Sequence, residues 1–357
     1  MIEIQGKYNN ALVFNDYVEP EAYNQILQMC NLEELKDTKI RIMSDVHAGA
    51  GCTIGTTIKM NYDSLINPYF VGVDIGCGIS ASILPKFNIE LEVFDKIIKE
   101  SVPSGFSIHN SLSKEADFIR DLNCYKFLNN IDRLKSSLGT LGGGNHFIEI
   151  NENSKGVKYL MIHSGSRNLG FQVANYYNTL TNDNGFLNQE DSKLYLHDMK
   201  ISQEFAFKNR KNILNIILKN SGLKLTSSIE TIHNYIEFNN DNIILRKGAI
   251  NSDEGNLLVI PLNMRDGCII GEGKGNELWN SSAPHGAGRI MSRSKAKKEL
   301  DLEEFKMEME GIYSSCISQS TLDESPMAYK NKEEILNYIG DTIKIIEIVK
   351  PIYNFKA

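Results

Sequence analysis

The chain has 357 residues, a formal net charge of −7 and 41% hydrophobic residues, values typical of a globular protein rather than a disordered or fibrous one. No apolar run reaches the roughly 18 residues of a membrane helix, and the N-terminal segment lacks the charged-then-apolar plan of a signal peptide. We therefore expect a cytoplasmic protein without a membrane span. Its acidity argues only weakly against binding to nucleic acid.

Hydrophobic periodicity predicts a mixture of helices and strands. Apolar residues that recur at spacings of three and four indicate helices near 20–37, 90–101, 114–137, 190–220, 294–310 and 332–341. Apolar and β-branched runs indicate strands near 39–44, 53–60, 78–84, 146–151, 157–163, 229–237, 242–249, 257–262 and 268–271. Because strands and helices do not alternate regularly, the pattern favours an α+β fold with central β-sheets surrounded by helices. No boundary is evident, so we expect one domain over 1–357.

Glycine-rich segments fall at the ends of predicted strands, and each contains a His, Asp or Cys. They lie at 44–49, 72–78, 142–146, 163–167 and 285–289. Glycine allows a ligand to approach the backbone closely, and loops carried on a rigid sheet are frequent places for functional sites. These segments are therefore the first places to look for chemistry.

One set of residues has the character of metal ligands. Asp74 and Cys77 are three residues apart in a glycine-rich loop, and His146, His163 and His233 each lie within or at the end of an apolar run. A thiolate beside a carboxylate needs a cation, and this mixture of donors suits Zn, Mn or Fe. A histidine in a strand is, however, more often a hydrogen-bonded core residue. The residues alone leave both interpretations open.

A second set suits phosphate chemistry. His285 is followed by small residues and then by a basic stretch that contains Arg289 and Arg293. Backbone N–H groups at such a turn suit phosphate oxygens, and a neutral imidazole can attack phosphorus. The plainer interpretation is a solvated basic helix. The chain has no P-loop and no Lys-x-Asp-Gly motif; the nearest segment is Met264-Arg265-Asp266-Gly267. A nucleotidyl-transferring enzyme of this sequence would need a nucleophile other than that lysine.

Seven motifs in chain order resemble those of the RtcB RNA ligases, and the resemblance covers nearly the whole chain. They are Ser44-Asp45-Val46-His47, Asp74-x-x-Cys77, the segment 138–149, the segment 162–167, His233-Asn234-Tyr235, Arg246-Lys247-Gly248-Ala249 and the segment 285–293. Each motif is weak alone, whereas all seven in this order are specific. The resemblance implies a single domain of central β-sheets wrapped by helices.

The resemblance also implies a site. Two manganese ions would be bound by Asp74, Cys77, His146, His163 and His233, with Cys77 shared, and His285 would be guanylylated by GTP. The residues implied to line the GTP site are Asn145, His146, Phe147, Glu149, Asn234, Pro261, Asn263, Met264, His285, Gly286, Ala287, Gly288, Tyr329 and Lys356. The candidates for contacts with RNA phosphates are Arg167, Lys247, Arg289 and Arg293.

The implied activity joins an RNA 3′-phosphate or 2′,3′-cyclic phosphate end to a 5′-hydroxyl end through a GMP-histidine intermediate, in tRNA splicing or RNA repair. An archease-type activator is an expected partner. Two alternatives are a metal-dependent phosphohydrolase acting on RNA ends or nucleotides, and a metal-stabilised RNA-binding protein. The chain departs from better-known members in the loop from Pro261 to Gly267, where bulkier residues replace a Gly-Ser-Met-Gly sequence.

Overall fold

Strands from the whole length of the chain form the centre of the protein. The computed structural model describes residues 1–239 and 242–356. The strands are β1 (Ile2–Gln5), β2 (Asn10–Val13), β3 (Lys39–His47), β4 (Ile54–Asn61), β5 (Gly78–Leu84), β6 (Phe147–Glu152), β7 (Lys158–Ser164), β8 (Ser228–Ile232), β9 (Asn234–Asn239), β10 (Asn242–Lys247), β11 (Ala249–Asn251), β12 (Leu257–Asn263), β13 (Gly267–Gly273), β14 (Ser282–Pro284) and β15 (Ile343–Lys356).

The helices lie around these strands. They are α1 (Pro20–Cys30), α2 (Leu91–Ser101), α3 (Ile131–Ser136), α4 (Arg167–Asn178), α5 (Gln189–Ser221), α6 (Arg293–Glu299), α7 (Leu302–Glu308) and α8 (Lys332–Ile339). Within the described residues, no helix is both long enough and apolar enough to cross a membrane.

Two large sheets carry the fold. One has six strands in the order β1-β2-β3-β4-β10-β9, and the other has seven in the order β12-β13-β15-β6-β7-β5-β8; β11 and β14 form a small third sheet. The pairing is antiparallel except between β2 and β3. The α+β prediction, with sheets at the centre and helices outside, is confirmed.

The seven-stranded sheet is curled, so that its two edge strands approach each other. The backbone N–H of Val259 on β12 donates a hydrogen bond of 3.0 Å to Thr231 Oγ1 on β8. Because side chains alternate along a strand, one set of residues, including Phe147 and Met161, packs inside the curl. The other set, including Ile148, packs outward against α2 and α5. The open end of the curl is where the candidate site lies.

The helix α5 contributes to both major cores. Its N-terminal half packs with the six-stranded sheet, and its C-terminal half packs on the outer face of the curled sheet. Asn188 caps its first turn, accepting from the backbone N–H of Asp191 at 2.8 Å, and Gly222 ends it with a φ of 71°, a conformation that favours glycine. This shared helix supports our proposal that the chain is one domain.

Three of the predicted helices differ from the structure. The helices expected over 20–37 and 294–310 are broken after Cys30 and between α6 and α7. The helix expected over 114–137 is instead two 3₁₀ segments followed by α3. The physical reason is a long-range contact. The carboxylate of Asp198 on α5 accepts hydrogen bonds from the backbone N–H groups of Asn123 and Cys124, at 2.9 and 3.0 Å. These N–H groups therefore do not form the hydrogen bonds of a continuous α-helix.

The predicted strand over 229–237 is two strands that belong to different sheets. β8 pairs with β5 in the curled sheet, whereas β9 pairs with β10 in the six-stranded sheet. His233 is the residue between them. The chain therefore passes from one sheet to the other at a predicted metal ligand. The strand expected over 242–249 breaks similarly, at Gly248, which has a φ of 61°.

The sequence does not predict five of these elements: β1, β2, α4, β14 and β15. β15 is the clearest case, since its 14 residues lie in the middle of the curled sheet. Its first half pairs with β13 and its second half with β6, with the changeover near Pro351. Charged residues and a proline interrupt its apolar pattern, and proline normally weakens a strand prediction.

Candidate active site

A pocket at the open end of the curled sheet collects residues from both large sheets and from the loops between them. Its walls include Phe147, Glu149 and His163 from the curled sheet and Ile54 from the six-stranded sheet. The residues predicted to line a nucleotide site that do line this pocket are Asn145, Phe147, Glu149, Asn234, Pro261, Asn263, Met264, His285, Gly286, Ala287, Gly288, Tyr329 and Lys356. The fold thus brings together residues as far apart in the chain as Ile54 and Lys356.

The five predicted metal ligands converge beside this pocket. The Sγ of Cys77 lies 3.4 Å from His146 Nε2 and 3.3 Å from His163 Nε2. His163 Nε2 lies 3.3 Å from His233 Nε2, and His146 Nε2 lies 3.1 Å from an oxygen of Asp74. The donors form two groups, Cys77–His163–His233 and Asp74–Cys77–His146, and Cys77 belongs to both.

Two of the histidines are oriented by hydrogen bonds on their far side. His146 Nδ1 lies 2.9 Å from the carbonyl of Leu141, and His163 Nδ1 lies 3.1 Å from the carbonyl of Asn145. A carbonyl accepts a hydrogen bond, so each Nδ1 carries the proton and each Nε2 presents a lone pair to the cluster. This arrangement is characteristic of histidines that bind metal ions.

The electrostatics of the cluster also fit a cation. Burial lowers the pKa of His163 and of His233 well below the usual value, so both rings are neutral, as metal ligands must be. Burial, together with the adjacent carboxylate of Asp74, raises the pKa of the Cys77 thiol well above its usual value. A thiolate at that position therefore requires a positive partner. The residues fit a bound metal ion, and the donors alone do not select manganese over zinc.

His285 is held by a buried carboxylate. Its Nδ1 lies 2.7 Å from Asp45 Oδ2, and the same oxygen accepts from the backbone N–H groups of His285 and Gly286, at 3.1 and 3.3 Å. Because the carboxylate can only accept, Nδ1 carries a proton, and in the neutral ring Nε2 is the nitrogen with the free lone pair. The His285 ring also stacks on that of His233, with centroids 4.7 Å apart and an interplanar angle of 18°. The candidate nucleophile therefore lies directly against the cluster of predicted metal ligands, called the cluster below.

Comparison with known proteins shows the family of the chain. The family model described as "tRNA-splicing ligase RtcB" matches residues 25–126 and 123–357. The chain belongs to the RtcB family. It is 30% identical to the RNA-splicing ligase RtcB of Escherichia coli K12, over 95% of each chain. It is 29% identical to RNA-splicing ligase RtcB1 of Escherichia coli ATCC 25922, also over 95% of each, and 27% identical to the tRNA-splicing ligase RtcB of Nanoarchaeum equitans, over 88% of this chain and 87% of that one.

In this RtcB chain, Glu149 is the buried carboxylate of the pocket. Its two oxygens accept from the side-chain amides of Asn151, at 3.0 Å, and Asn354. Burial raises the pKa of Glu149 to about 7, although these amides and nearby Lys356 act in the opposite direction. The carboxyl group is therefore poised to gain or lose a proton near neutral pH.

A second buried carboxylate, Glu324, contacts four of the predicted site residues. It accepts from Lys356 Nζ and Tyr329 Oη, both at 2.7 Å, and pairs with Arg293 and with Arg289. Burial alone would raise its pKa, but Lys356 and Arg293 outweigh that effect and lower it to about 2. Glu324 is thus ionised, and it is surrounded by cationic side chains that line the pocket.

The divergent loop from Pro261 to Gly267 forms a compact turn. The side-chain oxygen of Asn263 accepts from the backbone N–H groups of Arg265 and Asp266, at 3.0 and 2.9 Å. The guanidinium of Arg265 pairs with Asp266 and Glu308, and Arg265 is not among the residues that line the pocket. The pocket is lined by most of this loop, namely by Pro261, Leu262, Asn263, Met264 and Gly267.

The four predicted RNA contacts have different surroundings. Arg293 is the most open, with 42% of its side chain exposed. Arg289 is mostly covered, at 12% exposure. Lys247 is buried, and its ammonium donates to the carbonyls of Ala50 and Tyr69. Arg167 donates to Thr140 Oγ1 and to the carbonyl of Gly105. Their roles toward RNA stay predictions, and Arg293 has the surroundings best suited to one.

Two residues of this site were not singled out from the sequence. In the sequence, Asp45 appears only as part of a motif, and Glu324 lies in none of the motifs. Asp45 follows a buried run of β3, and an acidic residue at such a place is a signal that could have identified it. Glu324 lies in a 3₁₀ segment with no distinctive pattern. Its role depends on partners from three separate parts of the chain.

Proposed function

We propose that the protein is a GTP-dependent RNA ligase that joins RNA 3′-phosphate or 2′,3′-cyclic phosphate ends to 5′-hydroxyl ends through guanylate carried on His285. The observation that carries the proposal is the pairing of His285 with buried Asp45, which leaves Nε2 free beside the cluster. Membership of the RtcB family and the names of the relatives support the ligase activity.

In the first step, His285 Nε2 attacks the α-phosphorus of GTP. A nitrogen–phosphorus bond forms, the bond to the bridging oxygen breaks, and pyrophosphate leaves. The imidazole ring gains positive charge as its lone pair is used, and the carboxylate of Asp45, 2.7 Å from Nδ1, stabilises that charge. Two manganese ions held by Asp74, Cys77, His146, His163 and His233 would offset the negative charge of the phosphates.

Guanine would be selected at the far wall of the pocket. The carboxylate of Glu149 can accept hydrogen bonds from N–H groups of the base, which adenine does not offer in the same arrangement. Lys356 lines the same pocket, and its ammonium lies 5.4 Å from the centre of the Phe147 ring. Tyr329 also lines the pocket. These contacts support GTP as the nucleotide.

The later steps transfer the guanylate to RNA. The 3′-phosphate oxygen attacks the phosphorus on His285, the nitrogen–phosphorus bond breaks and the imidazole regains its lone pair. The 5′-hydroxyl oxygen of the second RNA end then attacks the activated 3′-phosphorus, losing its proton, and GMP leaves. A 2′,3′-cyclic end is first opened by water. Arg293, Arg289, Arg167 and Lys247 are the proposed cationic contacts with RNA.

Two further parts of the proposal concern the setting. The six cysteines are free, and five of them are buried, which supports a reducing compartment such as the cytoplasm. Three points stay predictions. They are an archease-type activator, manganese as the resident ion, and the identity of the RNA, which is either tRNA halves or RNA cut under stress.

The decisive experiment uses GTP labelled at the α-phosphate. Wild-type protein, His285→Ala and the matched control His197→Ala are incubated with labelled GTP and Mn²⁺ and run on a denaturing gel. His197 suits the control because its side chain is 52% exposed and bonds to Asp198, away from the pocket. We expect an acid-labile, alkali-stable label in the wild type and the control, and none in His285→Ala.

Two results would contradict the proposal. A label of equal strength in His285→Ala would show that another residue is the nucleophile. Absence of label from the wild type would favour the metal-dependent phosphohydrolase, which needs the cluster but no guanylate on His285. Release of phosphate from a 2′,3′-cyclic RNA end without ligation would then be the activity to measure.

A further inference from the structure

An aromatic ring stands almost fully in solvent close to the metal cluster. Phe106 is 94% exposed, although a ring of this size gains free energy from burial. It lies at the tip of a tight turn in which the backbone N–H of Ser107 donates to the carbonyl of Ser104 at 3.0 Å. A single exposed aromatic residue needs no explanation by itself, but the setting of this one points to a ligand.

The turn that carries Phe106 is held at several points. The backbone N–H of Gly105 donates to the carbonyl of Gly142 at 2.9 Å. The guanidinium of Arg167 donates to the carbonyl of Gly105 at 3.1 Å, and that of Arg133 donates to the carbonyl of Phe106 itself. The ring is therefore displayed on a fixed backbone, which reduces the entropy lost when a partner binds.

The turn lies along the rim of the candidate site. Gly142 is so close to the cluster that a Cβ atom added there would lie 2.8 Å from Nδ1 of His146 and would overlap the guanidinium of Arg167. Two residues on, a Cβ atom at Gly144 would lie 3.9 Å from a guanidinium nitrogen of Arg293. The strip 142–144 thus lies close to the Phe106 turn, to Arg167 and to Arg293.

An exposed aromatic ring among arginines beside a phosphate site matches single-stranded nucleic acid. Arg133 is exposed, and Arg293 is partly so, so both can attract a polyanion. Unpaired bases at RNA ends stack on aromatic side chains, while cationic groups follow the backbone. Every base has an aromatic face, so such a contact is tolerant of sequence.

We propose that Phe106 is a base-stacking residue, which binds a nucleobase of the RNA end whose phosphate lies at the cluster. The inference rests on the proposed RNA ligase function and adds to it a specific contact with substrate. It predicts that the enzyme holds the last bases of an RNA end by stacking and therefore accepts ends of different sequence.

Binding is tested first, without GTP. The chain has one tryptophan, Trp279, which is buried and stacked on Phe14 with ring centroids 3.7 Å apart, so a Phe106→Trp variant adds a separate exposed fluorophore. We expect its emission to be quenched by a single-stranded oligoribonucleotide with a 3′-phosphate. A matched oligonucleotide whose terminal residues lack bases should quench it much less.

Kinetics are tested next, with Phe106→Ala. Loss of a stacked ring should raise the KM for the RNA end by about 5- to 150-fold, while the rate of labelling with GTP alone stays that of the wild type. Tyr62→Ala is the control. Tyr62 is 56% exposed and follows β4 at the end opposite Ile54, which lines the pocket, roughly 25 Å away at the rise of a strand.

Each other outcome overturns the proposal. An unchanged KM in Phe106→Ala, or equal quenching by RNA with and without bases, excludes stacking. Slower GTP labelling in Phe106→Ala would mean that the turn only supports the cluster. A change in oligomeric state with unchanged RNA kinetics would assign the ring to contact between copies. Failure of the wild type to take label from GTP would instead contradict the proposed function, and the fluorescence result does not depend on it.

Discussion

The oxygen Oδ2 of Asp45 lies 2.7 Å from Nδ1 of His285, although the two residues are 240 positions apart in the chain. Asp45 is fully buried, and its second oxygen has no hydrogen-bond partner among the described residues. The Asp45 carboxylate is therefore buried away from water, and its side-chain contact is with the His285 imidazole, which it orients. Such a costly arrangement is expected where a nucleophile must present one particular nitrogen.

Removal of this carboxylate should slow transfer of guanylate. We expect Asp45→Ala to reduce the rate of GTP labelling by on the order of 10²–10⁴. Asp45→Asn should lose less, because an amide oxygen at the position of Oδ2 can still accept from Nδ1 without supplying charge. Single-turnover labelling measures both, and Asp16→Ala, whose carboxylate is 76% exposed, is the control. A larger loss in Asp45→Asn than in Asp45→Ala would contradict the orienting role.

The amount of metal bound by ligand variants should show whether Cys77 is shared between two metal sites. Cys77 belongs to both donor groups, whereas His146 and His233 belong to one each. We expect Cys77→Ala to lose metal from both groups and each histidine-to-alanine variant to lose it mainly from one. Mass spectrometry of the metals bound after dialysis against Mn²⁺ measures this. Cys316→Ala, outside the cluster, should keep the wild-type content. Full occupancy in Cys77→Ala would show that its thiol only packs.

Glu149 should make both stability and nucleotide binding depend on pH. Burial raises the pKa of this carboxyl group from its usual 4.5 to about 7. Between these values the folded protein keeps a proton that the unfolded chain has released, so stability falls as the pH rises through this window. Glu149→Gln should therefore gain in Tm relative to the wild type between pH 5 and pH 8. Thermal denaturation at several pH values measures the difference.

The same carboxyl group should affect the KM for GTP in the opposite direction. The ionised form can accept hydrogen bonds from guanine at both oxygens, whereas the protonated form has turned one oxygen into a donor, so the KM of the wild type should fall as the pH rises from about 6 to 8. In Glu149→Gln the KM should be high and independent of pH. Glu310→Gln, at an exposed position, should behave as the wild type. A pH-dependent KM in Glu149→Gln would assign the titration to another group.

Loss of the Glu324 carboxylate should leave buried cations without a partner. Lys356 is buried, and its ammonium lies 2.7 Å from Glu324 Oε2. We expect Glu324→Gln to lower the free energy of unfolding by about 3–5 kcal/mol and to raise the KM for GTP. Chemical denaturation measures the first effect. Adding Lys356→Met should recover part of the stability but none of the GTP binding; an undiminished stability in Glu324→Gln would refute the pairing.

The sequence was informative where function depends on residue type and order. The five donors and His285 could be assigned because seven motifs occur together, and the structure brings all six side chains to one place. The sequence was less informative about helices and strands whose ends depend on contacts with distant residues. The segment 114–137 has a helical pattern but forms 3₁₀ turns, because Asp198 binds backbone N–H groups that a helix would have used.

The RNA candidates illustrate the limit of charge as a predictor. Lys247 and Arg293 are both basic residues in recognised motifs. Lys247 faces inward, where carbonyl groups bind its ammonium, whereas Arg293 keeps 42% of its side chain in solvent. A residue's type shows that it carries charge. Which groups surround that charge depends on how the sheets and loops pack.

The sequence by itself determined the α+β class, because local periodicity is a property of short segments. It also predicted the donors and the candidate nucleophile, through the order of seven motifs that resemble those of the RtcB family. Only the tertiary structure decided that the chain changes sheets at His233, that Asp45 faces His285 and that Glu324 joins Lys356, Tyr329 and Arg293. The physical reason is that these contacts follow from which strands pair and how one sheet curls. Long-range pairing is a cooperative property of the whole chain, and no short segment contains it.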